Sequence, residues 1–202
     1  MAAENAQASG EWDWLEGIGL RLGCALIFAR DVDQDEVFEA FDLDPSSAQI
    51  ENWAFDPGHA RVRVGRLGAW TFAIDEQMES LHLAVHGKNV GKRLSAGTEV
   101  VVVGWTPKPN EDFEYWADGT LVTRFEPYDA ARYRFGSEPD RFLREMRQVG
   151  LVTEADDTAE GPEDYVIATL DLATAALGIR LPEQVAMGPL ATVTLAADRW
   201  AP

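Results

Sequence analysis

The chain has 202 residues, 46% of them apolar, with 35 Asp and Glu against 17 Lys and Arg, a formal charge of −18 and a pI near 4.4. That length and apolar content suffice for a buried core and exclude a wholly disordered chain; the charge makes a nucleic-acid backbone or an anionic membrane a poor partner. One cysteine, Cys24, excludes an internal disulfide and a cysteine-based zinc site.

Residues 1–10 are small and polar and read as a frayed tail without the basic and apolar regions of a signal peptide. No segment reaches the ~20 apolar residues of a membrane span, so a soluble, cytoplasmic protein is expected. Trp12, Trp14, Leu15 and Ile18 predict a short amphipathic helix closed by Gly17 or Gly19. Leu22 to Phe28 reads as a buried strand, in which Cys24 is a small core residue rather than a nucleophile. Asp33 with Glu36 three residues on forms a capping box for a helix that buries Val37, Phe38 and Phe41. Ala48 to Trp53 predicts a second short helix.

Alternation then takes over. Val62 and Val64 share one face and Arg61, Arg63 and Gly65 the other, and Leu67-Gly68 connects this strand tightly to Trp70–Ile74. Leu81 to Leu94 is helical, interrupted by Gly87 and Gly91. Val100 to Val103 is continuously apolar, which predicts a central strand covered on both faces. Asp118-Gly119 between Phe113–Ala117 and Leu121–Phe125 predicts a hairpin with a type I′ turn. Ser137, Pro139 and Asp140 predict the start of a helix that buries Phe142, Leu143, Met146 and Val149 and stops at Gly150. Residues 153–164 form an acidic loop or linker, and a last helix carries Val166, Leu170, Ala173 or Thr174, and Leu177 on one stripe up to Gly178. Pro182 to Met187 adds a turn. Strands outnumber helical crossovers, so the expected fold is α+β: an antiparallel or mixed sheet with flanking helices and a C-terminal helical segment, one domain over residues 11–202.

Motifs for chemistry are sparse. Asp31-Val32-Asp33-Gln34-Asp35 opens like a calcium loop with Asp42 at the twelfth place, but Glu36 stands where the sharp turn needs Gly, and Asp42 where a bidentate Glu is usual. A capped helix with acids at its positive end accounts for the same residues. His82 and His86 stand four apart near Glu79, without the HExxH order that couples a zinc pair to a base. Neither GxSxG, GxGxxG nor GxxxxGK[ST] occurs, so no catalytic residue, metal ligand or cofactor is expected. Arg132, Arg134, Arg141, Arg144 and Arg147 form the one basic concentration, suited either to pairing with the protein's own acids or to clamping an anion.

The acids, by contrast, cluster. Asp31 to Asp56 holds nine carboxylates and no Lys or Arg. Such a block is either a solvated face or a surface for a basic partner, and Asp31, Asp33, Asp35, Glu36, Glu39, Asp42 and Asp44 are the candidate partner-binding residues.

Four stretches, Val62–Ala73, Arg93–Glu99, Asp118–Pro127 and Gly136–Asp140, resemble an uncharacterised family of small actinobacterial proteins, a domain of unknown function. The likeness runs from Trp14 to Leu190 and implies one continuous domain, with no reaction and no catalytic residue. The short strands, Gly-Trp hairpin and acidity are also similar in style to immunity proteins that neutralise toxins. The leading expectation is therefore a non-catalytic acidic binding protein, of immunity or antitoxin type, that inhibits a basic protein. The alternatives are a small-molecule sensor or enzyme with an aromatic pocket at Trp70, Trp105 and Trp116, or a subunit of a larger assembly. An apolar cavity with converging polar groups would favour the small-molecule reading, and a flat acidic surface the first.

Overall fold

A computed structural model describes residues 12, 14–17, 19–20, 23–54, 56, 59–106, 112–153 and 162–196. The expected tail and most of the acidic loop lie outside the described residues. Nine strands, β1 (Cys24–Arg30), β2 (Gln49–Glu51), β3 (Arg61–Leu67), β4 (Trp70–Asp75), β5 (Glu99–Trp105), β6 (Asp112–Ala117), β7 (Thr120–Phe125), β8 (Arg134–Phe135) and β9 (Leu190–Thr194), form one sheet in the order β2-β9-β3-β4-β1-β5-β6-β7-β8. Every pairing in it is antiparallel. The architecture is α+β, dominated by the sheet.

β1 and β5 are the middle of this sheet because Ala25–Ala29 and the valines of β5 are apolar at successive positions and suit coverage on both sides. On one face Leu26, Phe28, Phe72, Ile74, Val101 and Phe113 pack against Met146 and Leu170. Met146 belongs to α5 (Leu143–Gln148) and Leu170 to α6 (Tyr165–Leu177); α1 (Trp14–Gly17) adds Trp14 and Leu15 to the same core. On the other face Ile27, Val62, Val64 and Ala73 meet Phe38 of α2 (Gln34–Ala40), Leu83 of α3 (Glu79–Val85) and Leu94 of α4 (Val90–Leu94). Each of the buried Val, Leu, Ile, Phe and Met side chains contributes about 1.5–3 kcal/mol relative to exposure. Among the described residues no helix is long and apolar enough to cross a membrane.

Local chemistry explains most boundaries. The Asp33 N–H donates to Glu36 Oε2 (2.9 Å) at the start of α2, as the capping-box spacing predicts. Asp118 (φ 50°) and Gly119 (φ 71°) both take left-handed backbone between β6 and β7, the requirement of a type I′ turn. The Asp164 carboxylate accepts from the Ile167 N–H to start α6, which ends at Gly178.

Three readings need correction. Ala48 to Trp53 is not helical: Gln49–Glu51 is the edge strand β2, whose backbone is satisfied by pairing with β9. The predicted helix at Ser137 begins only at Leu143, because Glu138 and Asp140 carbonyls accept from Arg141 and Leu143 N–H groups in tight turns. After α7 (Glu183–Ala186) the chain forms an unpredicted strand, β9, inserted between β2 and β3.

One buried charge fixes the second layer. Asp75, at the end of β4, is 1% exposed and lies in register with Val62 and Ala25 beneath α3. Its carboxylate accepts from the Glu79 N–H (2.8 Å), the Ser80 N–H (2.7 Å) and Ser80 Oγ (2.6 Å), so it caps α3 from within the sheet. Burial pushes its carboxyl above the ordinary range despite these donors. Asp75→Ala strands two buried N–H groups and is expected to destabilise the fold by on the order of 3 kcal/mol, read as a lower urea midpoint. An unchanged midpoint would remove this capping role.

Candidate functional site

The acidic block surrounds α2. Asp31, Asp33, Asp35, Glu36, Glu39, Asp42 and Asp44 are all exposed, on this helix and its two flanks. They are not equally available. Asp42 is held by Lys88 Nζ (2.8 Å) and Arg93 Nη1 (2.9 Å), and the Lys88 hydrogen bond, with Arg93 adding to it, pulls its carboxyl below the ordinary range. Asp44 accepts from Ser46 Oγ (2.8 Å) and the Ser46 N–H (2.9 Å), which also lower it. Glu36 caps its own helix, and Asp33 lies 3.3 Å from Arg66 Nη1. Among the described residues, Asp35 and Glu39 make no side-chain ion pair, and they stand one helical turn apart.

Asp31 stands beside this pair as a weakly held carboxylate, because its cationic neighbour is shared with Glu99. Arg30 Nη1 donates to Glu99 Oε1 at 2.6 Å, and its Nε lies 3.9 Å from Asp31. Arg30 also sits 5.8 Å from the Trp70 ring centroid. Glu99 accepts in turn from Tyr115 Oη (2.6 Å). Burial raises the Glu99 carboxyl, but donation from Tyr115 and Arg30 carries it below its ordinary range. The calcium-loop likeness ends here, since Asp42 is taken by Lys88 and Arg93.

Elsewhere the sequence candidates disperse. His82 and His86 are exposed on α3 and at its C-terminal end, and among the described residues no group of three or more His, Cys, Asp or Glu is placed to hold a metal. Cys24 is fully buried, and burial pushes its thiol well above the ordinary value, which suits a core residue. In the basic strip Arg134 pairs with Asp140 (2.7 Å) and Arg141 with Glu138 (3.1 Å). Arg141 precedes α5, so it does not share a helical flank with Arg144 and Arg147. The aromatic pocket does not form either: Trp70 and Trp105 are buried on one face of the sheet and Trp116 on the other.

A different cavity does exist, and the sequence reading missed it. Between α3 and the β5–β7 part of the sheet lies a cleft of about 290 Å³. Its walls are apolar, with Met78, Leu81, Ala84 and Val85 above, and Ala25 and Val102 below. Gly104 is part of the floor, where a Cβ would stand 3.2 Å from Met78 Cε. Register carries the row Ile27–Val102–Glu114–Arg124 across this face, so the floor turns ionic at β6. Arg124 makes a two-pronged bridge to Asp112, Nε to Oδ1 at 3.1 Å and Nη2 to Oδ2 at 2.9 Å. Glu114 Oε2 accepts from Trp116 Nε1 (2.8 Å) and Asn89 Nδ2 (3.4 Å). A signal was present: Asp112, Glu114 and Arg124 are charges inside strands whose opposite face is apolar, a pattern that marks a wet or ligand-facing surface.

The model of a family of unknown function, DUF6461, matches residues 28–197. The chain belongs to that family. The DUF6461 match starts within β1, contains β2 to β9 whole, and includes the α2 block and the ionic end of the cleft. No curated protein and no solved structure matches the chain.

The Arg30–Glu99–Tyr115 chain has a measurable signature. Burial and the hydrogen bond to Glu99 push the Tyr115 phenol up to about 12. The neutral phenol is the form favoured on folding, so its contribution to stability is present below the unfolded value near 10 and is lost as pH rises through about 12. Absorbance titration at the tyrosinate band is expected to show a late component that Tyr115→Phe removes; an unchanged late component would exclude this assignment.

Proposed function

We propose that this chain is a non-catalytic, cytoplasmic binding protein, of immunity or antitoxin type and in the actinobacterial setting that the sequence likeness implies, which docks a basic protein on the α2 flank. The observation that carries this reading is the exposed pair Asp35 and Glu39, whose charge is left open among the described residues, with Asp31 beside them held only by a 3.9 Å approach of Arg30, while Asp42, Asp44 and Glu36 serve the fold. A partner's Lys or Arg side chains would meet this set without having to displace a strong internal pair. The overall charge of −18 adds long-range steering.

An apolar anchor stands on the same face of the sheet. Ile50, on the edge strand β2, is 73% exposed and lies in the row that continues through Ala191 to Val64 under α2. Interfaces combine such anchors with charged rims, the anchor holding the complex and the rim setting the rate of encounter. The same edge supports membership of a larger assembly as a second reading, because among the described residues the outer side of β2 has no strand neighbour in the sheet and leaves backbone groups that another strand can pair with.

Reversal of the open charges separates steering from folding. Asp35→Lys with Glu39→Lys avoids the capping residues Asp33, Glu36 and Asp44. With the partner recovered by pull-down from the native cell, the double variant is expected to lower the association rate about tenfold or more at low salt and to flatten its salt dependence, with the melting temperature nearly unchanged. Salt-insensitive binding by the unaltered protein, or an unaltered rate in the variant, would reject the α2 flank as the docking surface.

A further inference from the structure

We propose that the cleft under α3 binds a small amphipathic organic cation, with its apolar body between α3 and Val102 and its ammonium group at Glu114.

Three observations converge on this class. The long walls are hydrocarbon, and Leu81 (39% exposed) and Val85 (78% exposed) continue them to the rim. Such exposed apolar side chains gain by covering a ligand's apolar part. The ionic end holds two carboxylates against one guanidinium, an excess of one negative charge. That guanidinium is directed at Asp112 by its two-pronged bridge, whereas Glu114 Oε1 lies 3.6 Å from Arg124 Nε, and among the described residues it makes no hydrogen bond. Glu114 itself is only 9% exposed and lines the apolar cleft, with Oε2 bonded to Trp116 and Asn89 and Oε1 held only by the long 3.6 Å approach of Arg124.

The imbalance is felt by its neighbour. Burial raises the Asp112 carboxyl, Glu114 and Glu126 add repulsion, and Arg124 only partly offsets them. A cation at Glu114 would relieve that repulsion. An anionic ligand would increase it, and a neutral one would leave the excess negative charge of Asp112, Glu114 and Arg124 together uncompensated. The volume of about 290 Å³ favours a short alkyl or single-ring amine over a large cofactor.

The probe is hexylammonium, titrated into the full chain by calorimetry, with hexanoate, hexanol and methylammonium at matched concentrations. Saturable binding of one hexylammonium per chain is expected, at least about tenfold tighter than each of the other three. Glu114→Gln, which keeps an oxygen for Trp116 Nε1, is expected to weaken it about tenfold. Leu81→Lys, a change at the exposed rim that leaves the core intact, is expected to weaken it as well. Equal binding of hexanoate or hexanol, equal binding of methylammonium, or hexylammonium affinity indifferent to both substitutions would overturn the proposal. Nα-acetyl-lysine amide carries the same ammonium on a peptide. Weaker binding than hexylammonium supports a free amine, and equal or tighter binding would overturn the small-molecule assignment in favour of a partner's lysine.

Discussion

Pairing of β1 with β4 on one side and β5 on the other is the constraint on which the rest of this molecule depends. β1 is buried along Cys24 to Ala29, so its N–H and C=O groups have no water to bond and must find strand partners. Once these three strands are joined, alternation assigns each residue to a face. Leu26, Phe28, Phe72 and Ile74 go to the α5–α6 side, and Ala25, Ile27 and Ala73 to the α2–α4 side. A shift by one residue would exchange the two sets and place Asp75 in the wrong layer, away from the α3 N–H groups that it satisfies. The register of the central strands and the position of α3 are thus one decision.

That decision also shapes the surface. Asp75 holds α3 over Gly104 and Ala25 and so roofs the cleft, while α4 brings Arg93 across to α2. Arg93 donates to the Ala40 and Glu39 carbonyls as well as to Asp42, closing the C-terminal end of α2 with a cation where the helix dipole favours one. The acidic block is therefore divided by function within the fold. Some of its carboxylates cap helices or bind Arg93 and Lys88, and others are left facing solvent. The family to which the chain belongs has no assigned activity, so this division of labour among acids is the main physical support for reading the α2 flank as a docking surface.

Elements with strong local chemistry were legible from the residues alone. The Asp118-Gly119 turn needs two left-handed residues and has the pair that tolerates them; α2 has its capping box; the valines of β5 admit only a strand covered on both sides. Elements that depend on a distant partner were not. β2 and β9 pair with each other and with β3, and a three-residue strand such as Gln49–Glu51 has no periodicity long enough to read. The expected aromatic pocket failed for a related reason. Being aromatic does not say which face of the sheet a side chain takes, and Trp116 falls opposite Trp70 and Trp105.

Composition, turn residues and alternation already settle the α+β class, the antiparallel hairpins, the core role of Cys24 and the location of the acid block, because each follows from neighbours within a few positions. Which of those acids stay open to a partner depends on Lys88, Arg93 and Arg66 arriving from other elements. The ionic end of the cleft is likewise a product of register across β5, β6 and β7. Charges well separated along the chain become neighbours only when strands align, and that alignment is a property of the folded sheet rather than of any one segment.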